Sequence, residues 1–286
     1  MHASRRAPDV RCFALLLALF SAPAIAIAAP VCQTVNYAVT TTEPLALDIY
    51  RPPVKPSGRI VLFFHAGGFI QGTRKSPGPD QILETLLNQG DVIVSADYRL
   101  VPHGVFPNNL HDCRDALRWC QSHAADYGAD PAKVIVMGAS AGAYLATFTA
   151  SAPADKRWDT HPERFRKPLA VVAYYGVFDF RIAKLPTWPG WVQTMLKDDA
   201  NRKAASPAAW ISKDDPPVFL MVGLNDHMTP MLWSHDYDAA LRAAGVQSTL
   251  VVVGGLEHGF VDPPTNPQQD GAWRRQQVVD WLSQFP

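Results

Sequence analysis

The sequence predicts an α/β architecture: a mostly parallel central sheet with helices on both faces, entered through an N-terminal antiparallel hairpin. Three observations predict it. Continuous apolar runs of strand length recur at residues 60–64, 92–96, 134–137, 169–174, 218–222 and 250–253. The stretches between them are long enough for the helical crossovers that parallel neighbours require. Upstream, Val35, Tyr37 and Val39, then Leu45, Leu47 and Ile49, alternate with polar neighbours instead, the period of strands with one wet face.

At 286 residues and 48% hydrophobic content the chain has enough apolar mass for one full core. Lys plus Arg and Asp plus Glu both number 26, so no basic field exists to gather nucleic acid.

In chain order, Arg5, Arg6 and Arg11 precede an apolar run over 13–20 and a stretch of small residues that includes Ala26-Ile27-Ala28, with alanines on either side of Ile27, the layout of a secretory signal. Residues 1–28 are read as that signal and 29–286 as the folded domain, so the expected location is secreted or periplasmic. The apolar run is shorter than the ~20 residues of a spanning helix, so no membrane span is expected after processing. Cleavage removes Cys12 and leaves Cys32, Cys113 and Cys120, an odd number, so at least one thiol stays free.

After the hairpin, the run 60–64 leads into His65-Ala66-Gly67-Gly68-Phe69. Paired glycines there let backbone N–H groups turn toward a ligand oxygen, although alone they would read as a plain turn. His65 is expected to brace the loop rather than to transfer protons. Residues 109–127 carry the helical stripe Leu110, Cys113, Leu117, Cys120 and Ala124, and stop at Gly128, a C-terminal cap. The stripe places Cys113 and Cys120 on one apolar face, about 10 Å apart along the axis, where they cannot bridge each other.

The run 134–137 then enters Gly138-Ala139-Ser140-Ala141-Gly142, followed by a predicted helix over 143–150. A serine thrust out on a tight strand-to-helix turn needs tiny residues two before and two after it. Such a pentad arises by chance in about one chain of this length in ten, so its placement between strand and helix is what gives it weight. Residues 151–210 are irregular and hold Trp158, Trp188, Trp191 and Trp210. Part of this stretch is expected to cross the sheet's carboxyl edge as a cap, where open α/β sheets bind ligands; a tryptophan-rich satellite of the core is the alternative. Asn225-Asp226-His227 follows the run ending at Gly223, a helix over 230–244 is closed by Gly245, and Glu257-His258-Gly259-Phe260 follows the last apolar run.

A serine hydroxyl is almost never ionised at neutral pH, so a nucleophilic Ser140 needs a base, and the base needs a partner to fix its tautomer. After Ser140 the acid candidates are Asp226 and Asp179, with Asp236 and Asp238 on a predicted helix; the bases are His258, His227 and His235. Asp226 and His258 each follow a strand's carboxyl end. His227 adjoins Asp226 in sequence, which hinders convergence of both on one serine.

With these residues in hand, the chain resembles the α/β-hydrolase superfamily, and within it esterases related to hormone-sensitive lipase and to acetyl xylan or feruloyl esterases. The likeness runs from about Leu45 to the C-terminus, through Leu47-Asp48-Ile49-Tyr50-Arg51-Pro52, His65-Ala66-Gly67-Gly68-Phe69 with Gly72, Asp97-Tyr98-Arg99-Leu100, Phe106-Pro107, the Ser140 pentad, Ser206-Pro207, and Pro216-Pro217 before Gly223 and Asp226. The resemblance implies a serine carboxylesterase acting on small carboxylic esters, short-chain or carbohydrate-linked, without metal or organic cofactor. It implies Ser140 as nucleophile, His258 as base and Asp226 as its anchor, with an oxyanion hole from Gly67, Gly68 and Ala141. Phe69, Tyr175, Phe178, Trp188 and Trp191 are the expected substrate-lining residues. Two departures matter: Ala66 stands where the family usually has a first glycine, and the neutral Ala139 leans toward the acetyl xylan or feruloyl type. A non-catalytic ligand-binding relative and an amidase or peptidase of the same fold remain alternatives.

Overall fold

The computed structural model of the chain describes residues 32–181, 196, 198–260 and 270–285. Its strands are β1 (Cys32–Val39), β2 (Pro44–Tyr50), β3 (Ile60–Phe64), β4 (Val92–Ala96), β5 (Val134–Ala139), β6 (Ala170–Tyr174), β7 (Val218–Gly223) and β8 (Ser248–Val253). They form one sheet in the order β1-β2-β4-β3-β5-β6-β7-β8. β2 runs antiparallel to both β1 and β4, and every pairing from β4 to β8 is parallel. This is the α/β-hydrolase fold with its N-terminal hairpin.

The helices are α1 (Ile82–Asn88), α2 (Asn108–His123), α3 (Ala141–Ser151), α4 (Asp199–Ala204), α5 (Met231–Ala243) and α6 (Gly271–Leu282). Strand alternation assigns them to two layers. Val92 and Val94 face a core with Leu110 and Leu117 of α2, Tyr144 and Phe148 of α3 and Leu241 of α5. Ile93 faces the opposite core with Ile82 and Leu86 of α1 and Val278 and Trp281 of α6. Covered on both faces, the central strands β3 to β7 are buried along their whole length, which is why their sequences read as unbroken apolar runs.

Helix α2 gives way to a 3-10 turn over Ala124–Tyr127, and Gly128 accepts the left-handed φ of 71° that ends it. Cys113 and Cys120 are fully buried, Cys32 is exposed, and all three are free. Burial pushes the Cys113 and Cys120 thiols well above the ordinary range, so they behave as small apolar groups. Trp158 and Trp210 lie 5.4 Å apart in a cluster with Phe106 and Phe148, a satellite of the core. Trp188 and Trp191, on which the cap reading turns, lie outside the described residues, as do residues 1–28.

Candidate active site

The parallel strands deliver their carboxyl ends to one edge of the sheet, and the candidate residues stand in the loops that leave it. Ser140 follows β5 directly and opens α3, with φ 54° and ψ −116°, a backbone that L-residues rarely adopt. Its N–H donates to the Tyr174 carbonyl of β6 at 2.9 Å, and its own carbonyl accepts from Ala143 and Tyr144, so the helix starts without an intervening loop. A Cβ on Gly138 would lie 2.1 Å from the Gly142 carbonyl oxygen, and one on Gly142 would lie 2.0 Å from that of Phe64. Any larger residue at either place would force the serine off its turn.

His258 and Asp226 arrive from two neighbouring strands, β8 and β7. His258 Nε2 lies 3.0 Å from Ser140 Oγ, and its Nδ1 lies 2.8 Å from Asp226 Oδ2. A carboxylate accepts only, so Nδ1 carries the proton and Nε2 presents a lone pair to the serine hydroxyl. Asp226 is 4% exposed. Its Oδ1 accepts from the Met228 and Thr229 N–H groups at 2.9 and 2.7 Å, which leaves Oδ2 for the imidazole. Thr229 Oγ1 stands 2.9 Å from both Asp226 Oδ2 and the Tyr175 carbonyl, and 3.2 Å from His258 Nδ1. The Tyr175 ring meets the imidazole edge-on at 4.8 Å, closing the far side.

Beside the serine, Gly67 and Gly68 have φ of 132° and 60°. The Gly67 carbonyl takes the N–H groups of Ile70 and Gln71, both at 3.1 Å, which folds the loop into a compact turn. Among the described residues no acceptor takes the N–H of Gly67, Gly68 or Ala141. His65 is 1% exposed, stacked on Tyr98 at 4.3 Å, with Nδ1 donating to the Ala66 carbonyl at 2.8 Å. Tyr98 Oη donates back to the His65 carbonyl at 2.8 Å. Burial lowers the His65 pKa, which keeps the ring neutral in this bracing position.

A cleft of about 580 Å³ opens against these loops, lined by Gly67, Ala139 and Gly259 and by Gln71, Ser76, Asp80 and Tyr175. Of the expected lining residues, Tyr175 is there. Phe69 turns inward against Tyr144, and Phe178 is stacked on Tyr237 at 4.5 Å in the core, so the structure brings neither to this cleft. Trp188 and Trp191 lie outside the described residues. The rival groups are engaged elsewhere: Asp179 pairs with Arg181, His227 with Glu257 and His235 with Asp236. Thr229 was not anticipated; its only trace in the sequence is a threonine three residues after an aspartate, the spacing of an Asx-type turn.

The sequence profile of the BD-FAE family matches residues 47–241. Among curated relatives, the probable carboxylic ester hydrolase LipM and the esterase LipQ of Mycobacterium tuberculosis are each 31% identical over 70% of this chain. The matches cover 49% and 50% of those proteins, so the chain spans about half the length of the curated relatives it matches. Among solved structures, the propionate-bound esterase Est2 of Thermogutta terrifontis is 25% identical, with a TM-score of 0.72 over 88% of this chain and 94% of that one. The same esterase phosphoramylated by tabun is 26% identical, with the same TM-score and coverage.

Proposed function

The chain belongs to the BD-FAE family of α/β-hydrolases, and from that premise we propose that it is a serine carboxylesterase working through an acyl-enzyme. Ser140 Oγ bonds to the ester carbonyl carbon as His258 Nε2 takes its proton, and the N–H groups of Gly67, Gly68 and Ala141 hold the oxyanion. Collapse of that intermediate breaks the bond to the alcohol oxygen, which leaves with the proton from His258. Water then gives a proton to His258 and attacks the acyl carbon; the acid departs and Ser140 regains its hydrogen. Asp226 stays ionised, holding Nδ1–H and stabilising the imidazolium.

One observation carries this reading: a continuous relay from Ser140 Oγ through both ring nitrogens of His258 to a buried carboxylate. A protein that only bound ligand would have no use for that alignment. Ser140→Ala is expected to cut kcat on p-nitrophenyl acetate by ~10⁶-fold, and to abolish labelling by a fluorophosphonate. Retention of most activity or of labelling would sink the proposal.

The substrates are short-chain or carbohydrate-linked esters. Support for the second class comes from the cleft, whose lining includes the polar residues Gln71 and Ser76, suited to a polyol leaving group. Acyl chains graded from acetyl to octanoyl, tested beside acetylated xylan and methyl ferulate, separate the classes. Secretion or periplasmic export is part of the same reading, supported by the residue pattern of 1–28; N-terminal sequencing of protein recovered outside the cytoplasm tests it.

A further inference from the structure

A second cavity adjoins the cleft beside the active-site loops, and the proposed reaction does not use it. It measures about 430 Å³, within the ~300–1,000 Å³ range of small-molecule sites. Ser76, Pro77 and Gly78 line both spaces and form the wall between them. Leu47 and Ile49 of β2 and Val92 and Val94 of β4 point into the core shared with α2 and α3. Tyr50, Ile93 and Ser95 therefore face the other way, and with Leu83 and Leu87 of α1 they line the cavity.

Most of its wall area is apolar, with Arg74, Lys75, Ser76, Gln81, Glu84 and Asn88 also lining it, and one buried polar group stands apart from these. Ser95 is 2% exposed, and among the described residues its hydroxyl has no hydrogen-bond partner. A desolvated hydroxyl without a partner carries a cost that a bound polar group removes. Directly across the strand pair stands Asp48, whose carboxylate takes Thr34 Oγ1 and Arg74 Nε. Arg74 is also committed to Asp97 at 2.6 Å. An anionic head at Ser95 would meet the Asp48 carboxylate and find Arg74 already engaged. At the rim Lys75 and Glu84 carry opposite charges, so no net field favours an ion. A neutral hydroxyl, able both to donate and to accept, suits Ser95 best.

We propose that this cavity is a second ligand site, for a small neutral alcohol whose hydroxyl bonds Ser95 Oγ and whose apolar body packs on Tyr50, Leu83, Leu87 and Ile93. It is separate from the hydrolytic reading, because occupancy is measured by binding rather than turnover. Titration of the purified protein with benzyl alcohol, followed through the methyl NMR signals of Leu83, Leu87 and Ile93, is expected to saturate. Toluene is expected to bind about three- to tenfold more weakly. Ser95→Ala removes only an unpartnered hydroxyl, so it is expected to erase that preference while leaving ester hydrolysis and melting temperature unchanged. Leu83→Trp, which fills the space, is expected to abolish binding. Equal affinity for the two ligands, a preference that survives in Ser95→Ala, or binding that survives in Leu83→Trp would each overturn the proposal. So would loss of the methyl shifts on phosphonylation of Ser140, which would mean that the ligand sits in the active-site cleft.

Discussion

The two halves of the catalytic relay reach the same point by opposite means. On the serine side position is set by exclusion: hypothetical Cβ atoms on Gly138 and Gly142 fall about 2 Å from carbonyl oxygens, and α3 begins with no slack after β5. On the acid–base side position is set by attachment. Asp226 is held by two N–H groups and Thr229, and His258 by Asp226 and the Tyr175 ring. The first half cannot accept an added atom, whereas the second cannot lose a bond. Substitutions should therefore separate stability from turnover according to which half they touch.

The largest separation is expected at Asp226→Asn. The change keeps volume and an acceptor for the Thr229 N–H, so the fold should persist. An amide N–H₂ facing His258 would drive the proton to Nε2, leaving no lone pair for the serine, and kcat is expected to fall by ~10⁴-fold with an unchanged melting temperature. A loss under tenfold would mean that Thr229 alone orients the ring. Gly142→Ala tests the other half. Its added methyl must displace the Phe64 carbonyl, and a loss of about 3 kcal/mol in urea unfolding is expected. A wild-type unfolding midpoint would show that the turn is not sterically closed.

The same contrast explains what could be read from the sequence. Exclusion leaves a mark in composition: glycines two residues either side of Ser140, and unbroken apolar runs where strands are covered on both faces, so β3 and β4 coincide with their predicted spans. Attachment leaves little. Thr229 is an ordinary threonine until the chain turns back on Asp226. Phe69 and Phe178 are as apolar as cleft residues would be, and only packing shows that they point into the core. Helix α6 was hidden for a related reason: its buried face includes Arg274, neutralised by Asp80 from 194 residues away, so its periodicity looks polar. Helix α1, seven residues long, is too short for its apolar spacing to stand out.

Thr229→Val sharpens the comparison at smaller amplitude. Valine matches threonine in shape but leaves the Tyr175 carbonyl and Asp226 Oδ2 without their hydroxyl partner. Expected is a fall in kcat of about three- to tenfold with little change in KM, and rescue by Thr229→Ser, which restores the hydroxyl. A purely structural role would lower the melting temperature without that split, and serine would not rescue it by more than valine does.

The smallest effect is expected at the exposed clasp between the two loops. His227 follows Asp226 and Glu257 precedes His258, and His227 Nδ1 lies 2.7 and 2.9 Å from the two Glu257 oxygens. The hydrogen bond that His227 donates to Glu257, together with the carboxylate's charge, raises the His227 pKa above the ordinary imidazole value. A raised folded-state pKa means that the pair contributes fully below the unfolded value and loses its contribution as pH rises through the folded one. The His227 side chain is 84% exposed, so salt and water screen the pair. Glu257→Gln is therefore expected to return the His227 NMR titration to the ordinary range and to change kcat by less than about threefold. A larger fall in kcat would extend attachment to the surface, making the clasp a support for Asp226 and His258 rather than a solvated ornament of their loops.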